Sequence, residues 1–460
     1  MASVFSFDAM IVFGTISILL LIGLFLRTKI NFLKRFYIPA CIIGGLLGLS
    51  LRNIAIGLGV IDSGVVFLEL GVYHIFNITF ISLGLTPNID KESDDSKKNS
   101  LKNITSMGLL IISVAALQFL IGGFIVLIFN FFGNKLFPTF GFLATLGFEE
   151  GPGQALSIGK TWEGYGFIDA ATIGLSFATI GFIFAIFIGV PLVGWFIKKG
   201  KIKISDSKEN RFFKSGIFTK EYQDQSAGIH TIHPATLDSL TFHAALVGVV
   251  YIITYGFIYL FEIFGLADIA ELFWGFFFIL GLLFAFITRI ILEKIGAGHL
   301  LNRELQGRIT GIGVDYLVVA AITAISIKVL FDYAFPILTI AISVGIITLL
   351  WILYFGKRLW KKHSFERTAG LYGMETGTVA TGLMLIRILD PEFKTPAATD
   401  LALSSFVALP VMALMFMILM NAPIFWGWSL ERTLLIFLMI LVVVLILFKI
   451  LGLIHKPEKK

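Results

Sequence analysis

Two short stretches of the sequence combine carboxylates with helix-breaking residues in otherwise apolar surroundings. The first, TLGFEEGPGQALSIG at 145–159, places the adjacent carboxylates Glu149 and Glu150 beside a Gly-Pro-Gly turn. Proline interrupts a helix, and glycine lets a ligand approach the backbone closely. Because a broken helix presents unpaired N–H groups and carbonyls to the gap, this stretch predicts a site for a small ion.

The second stretch, LYGMETGTVATGLML at 371–385, repeats the G-x-E-x-G pattern of the first. One constant offset, 226 residues from position 147 to position 373, relates Gly147 to Gly373, Glu149 to Glu375 and Gly151 to Gly377. In both copies a small-residue helical pattern follows, then helix breakers, then a long apolar span. The pattern therefore indicates an internal repeat with one potential site in each copy.

Ionisable groups buried in a membrane usually mark ion or proton pathways, so the glutamates are expected to bind Na⁺ or to carry a proton. The candidate binding residues are Glu149, Glu150, Gly151, Gly153, Gln154, Glu375, Gly377, Thr378 and Thr381, with Na⁺ expected at Glu149 and Glu375. Gln154, Thr378 and Thr381 would offer neutral polar contacts to an organic substrate. The alternative is that the glutamates cap exposed N–H groups of the broken helices. Weaker candidates inside apolar spans are Asn77, Ser82 and Asp315.

The composition places the chain in a membrane. Of its 460 residues 57% are hydrophobic and 14% are charged, against about 25% charged in soluble domains. The single cysteine, Cys41, excludes an intrachain disulfide and lies in an apolar run, where a packing role is expected. The sequence therefore predicts a polytopic membrane protein.

A membrane span needs about 20 mostly apolar residues, and eleven segments meet that requirement. They are Met10–Leu26, Tyr37–Leu58, Val65–Leu85, Ile104–Phe132, Ile168–Ile197, Leu240–Phe264, Ile269–Leu292, Ile309–Phe331, Phe335–Phe355, Ala397–Met420 and Thr433–Ile454. Two further stretches, 140–164 and 366–390, are apolar but broken by glycine, proline and acid. Irregular backbone at membrane depth requires shielding by protein or by a water-filled cavity. Both stretches are therefore predicted to be re-entrant hairpins.

The distribution of basic residues predicts the topology. With the N-terminus outside and both hairpins returning to the side they entered from, about 31 of the 36 Lys and Arg residues fall on the cytoplasmic side. The net charge of +6 is thus a topology signal, and a nucleic-acid partner is not expected. The prediction is a multi-pass protein of the cell membrane with its N-terminus outside and its C-terminus in the cytoplasm.

The predicted fold is all-α, with two inverted repeats of five transmembrane helices plus a re-entrant hairpin each, and one extra C-terminal helix. The boundaries are 1–197 for the first repeat, 198–239 for a cytoplasmic linker, 240–420 for the second repeat, and 421–460 for the extra span with a basic tail. The odd number of spans inverts the second copy, so the hairpins would enter from opposite sides and meet. Secondary transporters place their sites between broken helices in this way.

The expected function is a transporter that uses Na⁺ as its coupling ion and needs no organic cofactor, and two other classes of protein are alternatives to it. A cation/proton antiporter would use the same glutamates. A membrane-embedded enzyme would need a nucleophile with its base or a metal set, and the sequence has neither H-E-x-x-H nor G-x-S-x-G. His230 and His233 in the linker have no Cys or carboxylate cluster nearby, which argues against a metal site there.

The sequence resembles the sodium/glutamate symporter family. The matching stretches are FLKRFYIPACIIGGLLGL (32–49), FNITFISLGLTPN (76–88), EEGPGQALSIGKTWEGYGFIDAATIGLSFATIGFIFAIFIGVPLV (149–193) and GMETGTVATGLMLIRILDPEFKTPAATDLALSSFVALP (373–410). The resemblance extends over most of 10–420. It implies a homodimeric, Na⁺-coupled elevator carrier in which a transport domain with both hairpins moves against a dimerised scaffold.

The sequence departs from the family pattern at both hairpins. Members of the family commonly have Gly-His-Gly-Thr at the first hairpin and an acid-free, Gly-rich run at the second. This chain has Gly-Pro-Gly-Gln at 151–154, preceded by Glu149 and Glu150, and has Glu375 in the second hairpin. Three carboxylates near the site disfavour the binding of a dicarboxylate substrate unless cations or protons neutralise them. The family resemblance makes glutamate the leading substrate, but because of these carboxylates it is only the leading one, and a neutral amino acid or another small organic solute is a serious rival.

Overall fold

The computed structural model describes residues 7–35, 38–60, 66–87, 94–198, 228–275, 277–390 and 395–455, and all regular secondary structure in these ranges is helical. The helices of the first half are α1 (Asp8–Lys29), α2 (Asn31–Arg35), α3 (Ala40–Gly57), α4 (Val66–Leu85), α5 (Asp94–Phe131), α6 (Phe142–Thr145), a π-helical turn (Leu146–Glu150), α7 (Pro152–Gly164), α8 (Ala170–Phe187) and α9 (Gly189–Lys198).

The second half of the chain is also built from long and short helices. Its helices are α10 (Ser239–Ile263), α11 (Ala267–Gly275), α12 (Phe277–Lys294), a 3₁₀ turn (Gly298–Leu300), α13 (Arg303–Ala324), α14 (Ile327–Asp332), α15 (Ala334–Leu359), α16 (Ser364–Met374), α17 (Val379–Leu389), α18 (Ala397–Ala413), a second π-helical turn (Leu414–Leu419), α19 (Ala422–Phe425) and α20 (Leu430–Ile450).

Within the described ranges, ten helical segments are long and apolar enough to cross a membrane. They coincide with ten of the eleven predicted spans, which are thereby confirmed by length and composition. The eleventh, Ile269–Leu292, contains residue 276, which lies outside the described residues; its described parts belong to α11, up to Gly275, and to α12, from Phe277. The predicted span Ile309–Phe331 ends early, because α13 stops at Ala324 and α14 is a separate helix.

Polar side chains fix where several long helices begin. Asp238 accepts hydrogen bonds from the backbone N–H groups of Leu240 (2.9 Å) and Thr241 (3.1 Å) at the start of α10. Asn302 accepts one from the N–H of Leu305 (2.9 Å) at the start of α13. Each such cap satisfies an N–H group that has no partner inside the helix and stabilises the helix by about 1 kcal/mol.

The helices pack in two groups. The first helix group contains α1, α3, α4, α10, α12 and α13, and the second contains α5 to α9, α15 to α18 and α20. The groups meet where α4, α11 and α13 contact α7, and where α13 and α14 contact α8. Helix α7 is the second half of the first predicted hairpin, and α8 belongs to the span that follows it. Both helices therefore lie at the contact between the groups.

Glycines permit the closest helix crossings. A Cβ on Gly23 of α1 would lie 2.2 Å from the carbonyl oxygen of Ala40 in α3. A Cβ on Gly122 of α5 would lie 2.3 Å from the carbonyl oxygen of Gly141, just before α6. Helices in lipid associate largely through such close packing of small residues.

Part of the predicted linker, 199–227, lies outside the described residues, as do the basic residues at 91, at 394 and in the tail at 456–460. Within the described part of the linker, the imidazole Nδ1 of His233 accepts a hydrogen bond from the backbone N–H of Ala235 (3.2 Å). Among the described residues, no group of three or more His, Cys, Asp or Glu side chains is placed to hold a metal ion.

Candidate functional site

Both predicted hairpin regions contain a helix that is interrupted and then resumes. The first broken segment comprises α6, the π-helical turn and α7 (142–164), and the second comprises α16 and α17 (364–389). A Cβ on Gly151, at the first break, would lie 2.9 Å from Cγ2 of Thr378 and 3.4 Å from the carbonyl oxygen of Gly377. The two breaks are therefore in direct contact.

The first break depends on glycine and proline. Gly151 has φ +81° and ψ −169°, a conformation that disfavours residues with a side chain. Its N–H donates to the carbonyl of Leu146 (3.0 Å) and closes the π-helical turn. Pro152 occupies the first position of α7, where its missing N–H has no intrahelical partner in any case. The chain thus leaves Glu149 and Glu150 at the end of one helical arm.

The second break is held by a threonine hydroxyl. The N–H of Thr378 donates to Oγ1 of Thr381 (2.8 Å), and that hydroxyl lies 2.7 Å from the carbonyl oxygen of Gly373, to which it can donate. Thr381 therefore ties the two arms of the second broken segment together. Its expected contact with an organic substrate would have to share this hydroxyl.

The two symmetric glutamates are buried together at the contact between the breaks. Glu149 is 8% exposed and Glu375 is 1% exposed, and their carboxyl groups interact directly. Within the described structure, neither carboxylate oxygen of Glu149 nor Oε2 of Glu375 has a hydrogen-bond donor. The capping alternative requires such a donor for each glutamate, so the geometry does not support it for Glu149. Buried carboxylates in this setting require a cation or a proton.

One glutamine contacts Glu375, and a second lies in the helix that follows the first break. Gln118 of α5 donates through Nε2 to the carbonyl oxygen of Glu375 (3.1 Å) and to the hydroxyl of Thr348 (3.0 Å). Its own Oε1 and the Oε1 of Gln154, in the first turn of α7, have no donor among the described residues. Oxygen atoms are the ligands that hard cations prefer. Gln118 was not predicted, although an amide inside an apolar span is a detectable signal.

Three more predicted site residues, Glu150, Gly153 and Gly377, lie at or beside the breaks but outside the buried glutamate pair. Glu150 is partly exposed and lies close enough to both other glutamates to repel their charged forms. Gly153 packs against α4, since a Cβ there would lie 2.2 Å from the ring of Phe76. Gly377 lies against Thr381, whose hydroxyl would be 2.5 Å from an added Cβ. Gly153 and Gly377 thus allow close packing of the breaks.

The weaker candidates lie in the first helix group. Asn77 of α4 is 1% exposed, and its Nδ2 has no acceptor among the described residues. Ser82 donates towards Gln306, with distances of 2.7 Å to Oε1 and 3.0 Å to the carbonyl oxygen, so it joins α4 to α13. Asp315 of α13 instead lines a cavity that also reaches Thr378 of the second break. Of the three, Asp315 is the one that shares a space with the predicted site.

Two cavities lie between the helix groups. The first, of about 270 Å³, adjoins the second broken segment and includes Asp315 and Thr378 in its lining. The second, of about 360 Å³, adjoins α7 and includes Glu69 and Lys160. Lys160 of α7 forms ion pairs with Glu69 of α4 (3.1 Å) and with Glu163 (3.0 Å). One ion pair therefore joins the two helix groups beside the second cavity.

A buried ion pair anchors the second broken segment. Nε and Nη2 of Arg367 in α16 donate to Oδ2 of Asp400 in α18, at 2.8 and 2.6 Å. Arg367 also donates to the carbonyl oxygen of Lys362. The side chains of Arg367 and Asp400 are 2% and 1% exposed. Neither was predicted as a site residue, although opposite charges inside neighbouring apolar segments favour a buried pair.

These features define a polytopic membrane protein whose two broken helices enclose paired carboxylates. The family described as sodium/glutamate symporter matches residues 5–387, and the chain belongs to this family. Its membership identifies a multi-pass membrane transporter and confirms the resemblance found in the sequence. Comparisons with curated proteins and with solved structures gave no match.

Proposed function

We propose that the protein is a secondary active transporter that couples Na⁺ to the symport of glutamate or a related small amino or organic acid. The observation that supports this most directly is the contact between the two breaks, where Glu149 and Glu375 are buried against each other. Transporters of this general kind bind substrate and coupling ion at broken helices near the bilayer midplane.

Na⁺ is proposed to bind at Glu149 and Glu375. The three carboxylate oxygens without a donor, together with the amide oxygens of Gln118 and Gln154, supply a largely anionic set of oxygen atoms. A bound cation would neutralise charge that is otherwise unfavourable at this depth. Gly151 and Thr378 lie at the same contact and are proposed to border the substrate.

The halves of the chain are proposed to form inverted repeats, 1–197 and 240–420, each with a re-entrant hairpin. In support, α7 and α17 begin 227 residues apart, at 152 and 379, and α8 and α18 begin the same distance apart, at 170 and 397. This spacing is within one residue of the offset between the G-x-E-x-G motifs. The 198–239 segment would link the repeats, and 421–460 would add the final span and tail.

An elevator mechanism is proposed, with the second helix group moving against the first, which would form the dimer scaffold. The cavities between the groups and the broken segments within the second group support this division. The ion pair between Lys160 and Glu69 crosses the moving boundary. Because Lys160 is 43% exposed, the pair is expected to add less than about 1 kcal/mol and would not prevent the movement.

The proposed function is tested by uptake into proteoliposomes that contain the purified full chain. Labelled L-glutamate and labelled L-glutamine are supplied with an inward Na⁺ gradient or with equal Na⁺ on both sides. Accumulation that requires the gradient supports symport. Equal entry under both conditions, or no entry of either solute, contradicts it.

A cation/proton antiporter is the second candidate, because the paired acids could exchange a proton for a cation. The driving force for Na⁺ entry distinguishes the antiporter from the proposed symporter. A proton gradient alone would then drive labelled ²²Na⁺ into proteoliposomes without any amino acid. Under the proposed symport, ²²Na⁺ entry requires the organic substrate.

A further inference from the structure

Three helices that are distant in the sequence meet at one face of the second helix group. The apolar part of α5 begins there, and α15 and α20 end there. Nζ of Lys102 in α5 donates to the carbonyl oxygen of Gly452 (3.0 Å), just after α20. The backbone N–H of His455 donates to the carbonyl oxygen of Arg358 in α15 (2.8 Å). The ends of the three helices are therefore in direct contact.

A glycine in the left-handed region turns the chain back after α20. Gly452 has φ +58°, and the N–H of Leu453 donates to the carbonyl oxygen of Phe448 (3.0 Å), which closes the end of the helix. One helical turn before the glycine, the rings of Phe355 and Phe448 stack with their centroids 5.2 Å apart. The turn thus holds His455 against α15. The family match ends at residue 387, so α20 and this turn lie beyond the matched residues.

The contact between these helix ends gathers basic side chains. The basic cluster consists of Lys357 and Arg358 in the last turn of α15, Lys361 just after it, Lys102 and His455. Desolvation and the positive charges of Lys361 and Lys102 hold the pKa of His455 below its usual value, so these three side chains are neighbours. Among the described side chains, no carboxylate forms an ion pair with a member of the basic cluster. Its positive charge therefore has no counter-ion within the described part of the chain.

The surface beside the basic cluster is apolar and exposed. Over the two or three turns before the basic residues, the exposed side chains of α15 and α20 are apolar or aromatic, and they include Leu350, Tyr354, Val443, Ile446 and Ile450. The guanidinium of Arg358 lies 3.6 Å from the centroid of the Tyr354 ring. Tyrosine is enriched where a membrane meets water, and basic clusters at that level attract anionic head groups. The charge and the apolar surface together match the two parts of a phospholipid.

We propose that the basic cluster binds the phosphate head group of an anionic phospholipid, whose acyl chains lie along the exposed apolar surface of α15 and α20. A zwitterionic phospholipid carries a cation next to its phosphate and is therefore bound less tightly. A soluble phosphate has the charge but leaves the apolar surface uncovered. The inference is independent of the transported solute and of the coupling ion. It assigns a lipid site to the second helix group, away from both broken segments.

The test measures lipid binding to the purified full chain in a non-ionic detergent by native mass spectrometry. Phosphatidylglycerol is the anionic probe, phosphatidylcholine with the same acyl chains is the zwitterionic probe, and glycerophosphate is a soluble phosphate without acyl chains. Phosphatidylglycerol is expected to bind about tenfold more tightly than phosphatidylcholine. An excess of glycerophosphate is expected to displace little phosphatidylglycerol, because the acyl chains supply much of the affinity.

Variants assign the binding to the basic cluster. Lys102→Gln/Lys361→Gln removes two of its charges and is expected to weaken phosphatidylglycerol binding about thirtyfold, with phosphatidylcholine binding nearly unchanged. Lys361→Gln alone removes no hydrogen bond to a described residue and is expected to weaken phosphatidylglycerol binding about fivefold. The matched control is Lys135→Gln/Lys328→Gln, which removes the same charge from exposed lysines beyond the other end of α5 and in α14. This control is expected to bind both lipids as the unmodified protein does.

Equal binding of the two phospholipids to the unmodified protein would overturn the inference. Equal weakening by the cluster variant and by its matched control would also overturn it, because net charge alone would then explain the effect. Full displacement of phosphatidylglycerol by glycerophosphate would overturn it in favour of a soluble phosphate ligand. If the double variant aggregates, the single variant decides: unchanged phosphatidylglycerol binding by Lys361→Gln contradicts the proposal, and the fivefold loss supports it.

Discussion

The glutamate pair at the two breaks predicts an unusual relation between Na⁺ and stability. Replacing Glu375 with Gln removes one of two interacting buried charges and supplies an amide donor to the oxygens of Glu149, which otherwise have none among the described residues. Relieving a buried unsatisfied acceptor is worth about 1–3 kcal/mol. At pH 8 without Na⁺, Glu375→Gln is therefore expected to be more stable than the unmodified protein by about that amount.

Adding Na⁺ should reverse this order of stability. A ligand that binds only the folded protein stabilises it by about 2.7 kcal/mol at one hundred times its Kd. The unmodified protein is thus expected to gain stability with increasing Na⁺, whereas Glu375→Gln responds weakly. The measurement is thermal unfolding in detergent, followed by tryptophan fluorescence, with choline chloride keeping the ionic strength constant. Glu431→Gln is the control and should keep the full Na⁺ response.

Two outcomes would refute this reasoning. If Glu375→Gln is less stable than the unmodified protein without Na⁺, its carboxylate makes favourable contacts that the geometry does not contain. If the variant retains the full Na⁺ response, the cation binds elsewhere. Either result would remove the physical basis for assigning Na⁺ to the pair.

Three further predictions test the surroundings of the site by thermal unfolding and Na⁺ titration. Arg367→Met removes both hydrogen bonds that the guanidinium donates to the buried carboxylate of Asp400 and should lower the free energy of unfolding by about 3–5 kcal/mol, while adding Asp400→Leu should recover most of it. Gly147→Ala places a Cβ 2.5 Å from a backbone nitrogen of α8 and should cost about 1–3 kcal/mol. Gly14→Ala, with open space around it, should change stability by less than about 1 kcal/mol. Gln118→Leu should raise the half-saturating Na⁺ concentration about tenfold, because it removes an oxygen and a donor near the pair.

Each of these predictions has a distinct contradicting result. Equal destabilisation by the single and double variants would mean that the ion pair is not isolated from water. Equal effects of the two alanine substitutions would mean that α8 does not pack tightly on the first broken segment. An unchanged Na⁺ titration in the glutamine variant would place the cation away from α5.

Hydropathy alone predicted the ten spans, since the length of apolar segments is a local property of the sequence. Proline and glycine likewise placed the first break at Gly151, where only backbone conformation matters. The role of Gln118 escaped prediction because it depends on a contact between distant helices: its side-chain amide donates to the carbonyl oxygen of Glu375, which is 257 residues away along the chain.

The central claim is that one site, built from the two contacting breaks, couples Na⁺ to an organic solute. The most direct measurement is the entry of ²²Na⁺ into proteoliposomes on addition of L-glutamine or L-glutamate, for the unmodified protein and for Glu149→Gln. The account predicts solute-dependent ²²Na⁺ entry that the variant loses while remaining folded. Solute-dependent entry that persists in the variant, or solute entry with no accompanying ²²Na⁺, would contradict it.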